Sequence, residues 1–161
     1  MPYQVQIQQV EPQPIAVVRR QAAIPQLSTV VPQACGEVWE FIRAAQIQGA
    51  GRHVAVYLDC QTGQLNMEIG CEVTGHIAGD GNVFSSSTPA GTVATTVHIG
   101  PYDRLGDAHN AIQKWCADNH YQIAGPQWEI YGHWTDDPSQ LRTDVYYLID
   151  TADQSATPGS V

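Results

Sequence analysis

Residues 3–77 and 91–150 each run strand, helix, strand, strand, and this repeat constrains the chain more than any other feature. In the first copy "IAVVRRQA" reads as a strand. "PQACGEVWEFIRAAQIQG" then sets Val38, Phe41, Ile42 and Ala45 on one helical face. Pro32 near the start and Gly49 past the end predict a helix over 32–48. "RHVAVYLD" and "NMEIGCEVTG" alternate as strands around the turn "QTG". In the second copy "TVATTVHIG" is a strand, and "DRLGDAHNAIQKWCADNH" is an amphipathic helix over 103–119. "WEIYGHW" and "RTDVYYLID" follow as strands. Locally, "VWEFIRAA" lines up with "AIQKWCAD", "HVAVYLD" with "QWEIYGH" and "EIGCEV" with "TDVYYL". Duplicated modules of this kind pack about a pseudo-two-fold axis. The expected class is therefore α+β, and a parallel doubly wound sheet would contradict it.

At the start of the first copy, ahead of "IAVVRRQA", "YQVQIQQV" is also strand-like. The Gly- and Ser-rich "GHIAGDGNVFSSSTPAG" crosses from one copy to the other as a short strand or loop. The tail 151–161, "TADQSATPGSV", has little to bury and is expected to be disordered. The 161 residues are enough for one domain with a real core.

Charge removes several function classes. Seven basic against sixteen acidic residues give −9, which repels a phosphate backbone, so nucleic-acid binding by this chain alone is not expected. There is no signal peptide and no membrane-spanning run, so a cytoplasmic protein is expected. The four cysteines, Cys35, Cys60, Cys71 and Cys116, lack C-x-x-C spacing and read as reduced thiols. The six histidines form no metal motif. Ser85–Ser87 lack the context of a catalytic serine, and "GDGN" lacks the rest of a phosphate cradle. No cofactor and no metal is expected.

Strand parity singles out Glu129. In "GPQWEIYGHW", Trp128, Ile130 and Trp134 share one face, while Gln127, Glu129, Tyr131 and His133 share the other. Aligning Tyr57 with Tyr131 sets Glu129 against Ala55 of the first copy. A small apolar residue suffices there, and Glu is a poor strand former, so the acid marks a site.

"HIGPYDRLGDAHNAIQKW", "GPQWEIYGHW" and "TDVYYLI", with "IPQ", "VWEFI" and "TPAGTVA", resemble the GyrI-like effector-binding domain over nearly all of 3–150. That family includes the drug-binding domains of multidrug-responsive MerR-type activators, domains of AraC-type regulators, and free-standing proteins. The resemblance implies a curved antiparallel sheet with a ligand cleft between the halves. It implies that Glu129 is the family's buried acid facing lipophilic cations, and that Tyr102 and Tyr131 are its aromatic positions. Trp39 and Tyr57 are further candidates for the cleft wall, as are Tyr147 and, through a bulge at Gly132, Trp134. No basic helix-turn-helix is present. The implied partner is a hydrophobic, cationic small molecule. The alternatives are a hydrolase of strained, cyclopropanoid-type electrophiles using Glu129, Tyr102 and Tyr131, and a protein-binding inhibitor.

Overall fold

The computed structural model describes residues 3–79, 81–132 and 136–150. Strands β1 (Gln6–Val10) and β2 (Pro14–Ala22) precede helix α1 (Leu27–Ala44). Strands β3 (His53–Gln61), β4 (Gln64–Glu72), β5 (Phe84–Ser87) and β6 (Gly91–Ile99) lead to α2 (Leu105–Asp118), and β7 (Gln122–Tyr131) and β8 (Arg142–Asp150) follow. The strands form one eight-stranded sheet, β1-β6-β8-β7-β3-β4-β2-β5, with every pairing antiparallel.

That order reads as two mirrored arms joined at β3 and β7. At the seam Ala55 lies opposite Glu129, His53 opposite Tyr131 and Tyr57 opposite Gln127. Exchanging the arms maps these pairs onto one another, which is the register that a two-fold axis through Ala55 and Glu129 demands. The same register corrects one part of the sequence alignment. Ala55 faces Ile69 and Glu129 faces Val145, so Ile69 answers Val145 and Cys71 answers Tyr147. Laying "EIGCEV" on "TDVYYL" sets Ile69 against Asp144 and is one residue out. A one-residue slip turns a strand's side chains to the wrong face. Asp144 belongs to the back of the sheet, where Arg142 (2.8 Å) and Arg52 (3.8 Å) hold it.

Both helices lie on the front face. α1 buries Ala34, Val38 and Ile42 on Ala16, Val18, Ala55, Met67 and Ile69; α2 buries Leu105, Ala108, Ile112 and Cys116 on Ala94, Val145, Tyr147 and Ile149. The back face carries its own core of Ile15, Val17, Val54, Val56, Val93, Trp128 and Ile130. No helix covers it. The sheet curves, so that Val10 of β1 and Phe84 of β5, from opposite edges, pack on the same cluster.

α1 starts earlier than its sequence predicts, at Leu27. A short 3₁₀ turn, Ile24–Gln26, leads into it with Pro25 at its start, and the Gln26 side chain accepts the Ala23 N–H at 2.9 Å. Pro25 is thus the N-terminal proline of this helical segment. Pro32 sits within the first two turns and removes one backbone hydrogen bond.

Candidate functional site

The seam brings Glu129 to the front face between the two helices, and Tyr131 packs against the cores under both of them. Glu129 is 5% exposed. Its Oε1 accepts the Tyr57 hydroxyl at 2.9 Å and the Tyr131 hydroxyl at 2.5 Å. Its Oε2 lies 2.5 Å from His109 Nε2, which α2 supplies. The other ring nitrogen of His109, Nδ1, is 2.6 Å from the Tyr147 hydroxyl, and that oxygen accepts Gln113 Nε2 at 3.1 Å.

Counting hydrogens gives the directions for a neutral His109. A carboxylate only accepts, so the Nε2 hydrogen of His109 goes to Glu129; in a neutral imidazole Nδ1 then accepts from Tyr147, whose oxygen accepts the Gln113 N–H. Every hydrogen along Gln113, Tyr147 and His109 points toward Glu129, joined by those of Tyr57 and Tyr131. The carboxylate thus collects three hydrogen bonds, from Tyr57, Tyr131 and His109.

The phenols stay protonated in this setting. Burial first, and then the Glu129 charge, pushes the Tyr57 and Tyr131 hydroxyls well above their ordinary pKa. Burial pushes Tyr147 up to about 12, against the Gln113 hydrogen bond that pulls it down.

The sequence candidates divide into groups. Tyr57, Tyr131 and Tyr147 are joined to Glu129 by hydrogen bonds, the last through His109. Tyr102 forms the outer rim: it is 42% exposed and meets Tyr131 edge-on, with ring centroids 5.7 Å apart. Trp39 stands aside, packed on His53 at 6.1 Å. It lines an open hollow of about 630 Å³ with Ile42, Gly49 and Ala50, and Glu129 lines no part of that hollow. Trp134 and its neighbour His133 lie outside the described residues. Trp115 stacks on Tyr121, and Trp128 stacks on Tyr146 of the back face.

Sequence reasoning missed His109 and Gln113. The available signal is their four-residue spacing: one helical turn apart, each directly follows a buried residue of α2, Ala108 or Ile112. Polar pairs on the flank of an apolar stripe reach over its edge. Among the described residues no cluster of His, Cys, Asp and Glu could hold a metal ion, and no helix is long and apolar enough to cross a membrane.

Comparison with known proteins gives the family and the fold. Residues 3–150 match the GyrI-like small molecule binding domain. No curated protein sequence matches the chain. Among solved structures it is similar to the C-terminal domain of EcmrR, with a TM-score of 0.75 and 21% identity over 93% of this chain and 99% of that one. It is similar to SAV2435 bound to tetraphenylphosphonium, with a TM-score of 0.66 and 13% identity over 96% and 97%. A hydrolase from Listeria innocua aligns with a TM-score of 0.61 and 8% identity over 92% and 93%. At these identities the likeness is one of fold. The family match covers most of the chain, and the chain belongs to the GyrI-like family of small-molecule-binding domains.

Proposed function

We propose that this GyrI-like domain binds lipophilic, cationic aromatic compounds, held against Glu129 and the tyrosines around it. One observation supports this above the others: a buried carboxylate whose hydrogen-bond partners, Tyr57, Tyr131 and His109, include no lysine or arginine. Burying a charge is costly unless it is paired, and hydrogen bonds offset only part of the cost. A cation about 5 Å away gains roughly 3 kcal/mol at an effective dielectric of 20. Phenol faces add about 0.5–2 kcal/mol each. Oε2 accepts one hydrogen bond where Oε1 accepts two, so it is the oxygen with room for a further partner. Tyr102, exposed at the rim, lies on the approach. The presence of an aromatic phosphonium in SAV2435, which shares this fold, agrees with such a ligand.

A second reading rests on the same oxygen. Oε2 beside His109 could take a proton from water attacking a strained ring carbon, with Tyr102 or Tyr131 polarising the ligand as the ring bond breaks. The fold is shared with a hydrolase, which permits this reading without favouring it.

The test is a titration of a cationic dye and its neutral isostere against wild type and Glu129→Gln. A charge-assisted contact is worth about 1.5–3 kcal/mol, so the cation should lose about 10- to 100-fold in affinity and the neutral dye much less. Equal losses would remove charge pairing from the account. Repeated turnover of a strained electrophile, cut more than its binding by Glu129→Gln, would favour the hydrolase.

A further inference from the structure

The N-terminal strand contributes little to any core. Four of the five residues of β1 are exposed, and its apolar Ile7 is 38% exposed. Yet β1 crosses to the far arm and pairs with β6, and the Gln4 carbonyl ahead of it accepts the Thr96 hydroxyl at 2.6 Å. Tyr3, just before the strand, reaches inward. Its hydroxyl lies 2.8 Å from His98 Nδ1, and the two rings stack with centroids 6.0 Å apart. His98 is 3% exposed, and its Nε2 lies 2.9 Å from the Pro101 carbonyl.

The directions of these bonds are fixed as well. A carbonyl only accepts, so His98 gives Pro101 the hydrogen on Nε2; in a neutral imidazole Nδ1 is then the acceptor, and Tyr3 donates. Burial foremost, with Asp107 adding to it, raises the Tyr3 pKa, which keeps the phenol a donor. The Pro101 oxygen also accepts the Arg104 N–H at 3.1 Å, the bond that closes the 3₁₀ turn Tyr102–Arg104. Gly100, with φ +136, swings the chain out of β6 in a conformation that disfavours other residues. His98 therefore grips the turn that presents Tyr102.

The opposite arm lacks this grip. By register Val18 answers Thr96, because they face Ile69 and Val145, so Arg20 stands where His98 does. Arg20 spends its guanidinium on Glu37 and on the Arg19 carbonyl. Beyond it Ile24, in the place of Tyr102, is 67% exposed. A clamp present only beside the acid is tied to the acid's site.

We infer that Tyr3 and His98 are positioning residues for the cleft: the chain Tyr3, His98, Pro101 holds Tyr102 at the rim over Tyr131. This rests on the proposed reading of Tyr102 as part of the ligand wall. The N-terminal segment thereby belongs to the binding site although Tyr3 touches no ligand.

Tyr3→Phe removes one hydroxyl and keeps the ring stack. Tetraphenylphosphonium should bind about five-fold more weakly, the size of one neutral hydrogen bond, in a protein that melts cooperatively as before. In a Tyr102→Ala background the same change should cost nothing further, because its only route is closed. His98→Gln, which keeps a donor near the Nε2 position, should retain more affinity than His98→Leu. The ring resonances of Tyr102, set by the edge-on Tyr131, should move in Tyr3→Phe without any ligand present. An equal loss in both backgrounds, or unmoved Tyr102 resonances, would overturn the inference. If Tyr102→Ala alone leaves affinity unchanged, the ligand reading of Tyr102 fails, and the resonance shift still decides the positioning.

Discussion

Where the arm carrying β7 and β8 places Glu129, His109, Tyr147 and Gln113, the other arm places Ala55, Cys35, Cys71 and Trp39. The strand equivalences follow from the register at the seam. The helix equivalences follow from the matching buried rows Ala34, Val38, Ile42 and Ala108, Ile112, Cys116. Tyr57 and Tyr131 are the same residue on both sides, and both bond to the one acid. The frame is shared, and four substitutions separate a charged relay from a neutral filling. On the neutral side burial pushes the Cys35 thiol up to about 12 and Cys71 up to about 11. Two uncharged thiols and a methyl ask for no partner. A buried carboxylate needs donors, and His109 and the tyrosines supply them.

The harshest way to break this asymmetry is Ala55→Glu. Ala55 is fully buried and lies directly opposite Glu129, so a second carboxylate would share the first one's donors. An uncompensated buried charge costs about 3–5 kcal/mol, read as a lower denaturation midpoint with an unchanged slope. Adding Glu129→Ala should return most of that loss, since Tyr57 and Tyr131 are placed almost equally about the seam. If stability does not return, the two arms are not equivalent there.

A smaller effect tests the back of the sheet. Gly70 answers Tyr146 by the same register, and a Cβ at Gly70 would overlap the Ala16 carbonyl oxygen. Gly70→Ala must push β2 aside and should cost about 2–3 kcal/mol in a thermal or denaturant melt. Tyr146→Phe, on the other arm, keeps the stack on Trp128 and should cost well under that.

Much of this was legible in the sequence. The repeated element order needed only periodicity, and the parity of "WEIY" put Glu129 and Tyr131 on one face and Trp128 on the other, where the structure has them. The contrast with Ala55 was visible because Tyr57 and Tyr131 could be aligned. The contact of His109 with Glu129 was not legible, although its spacing from Gln113 was. A helix and a strand meet side chain to side chain only after the chain has folded, and no spacing joins residue 109 to residue 129. The one-residue slip between "EIGCEV" and "TDVYYL" has a similar cause. Both pieces alternate, so only the pairing partners fix their phase.

Milder still is the relay itself. Tyr147→Phe removes the hydrogen given to His109 Nδ1, leaves Gln113 without its acceptor and frees the imidazole to turn. Cation affinity should fall about five-fold, while Cys71→Ser at the answering position of the other arm should leave it unchanged. Equal effects of the two changes, by calorimetric titration, would mean that the arms contribute alike.

The smallest perturbation is a chemical label. A raised thiol pKa means less thiolate at a given pH, and thiolate is the reactive form. At pH 8 iodoacetamide should modify exposed Cys60 first, with Cys35 and Cys71 protected until denaturant is added. Mass mapping reads the order directly. Early modification of Cys35 would show the neutral arm to be open.

The central claim is that a cation goes to the charged arm, and the position of the cation itself tests it most directly. Tetraphenylarsonium carries an arsenic atom that can be located by anomalous scattering in crystals of the complex. The account predicts an arsenic peak about 4–6 Å from the Glu129 carboxylate, the range in which opposite charges act strongly on each other. Tyr102 and Tyr131 should flank it. A peak instead over Cys35 and Ala55, or in the hollow beside Trp39 and Gly49, would contradict it.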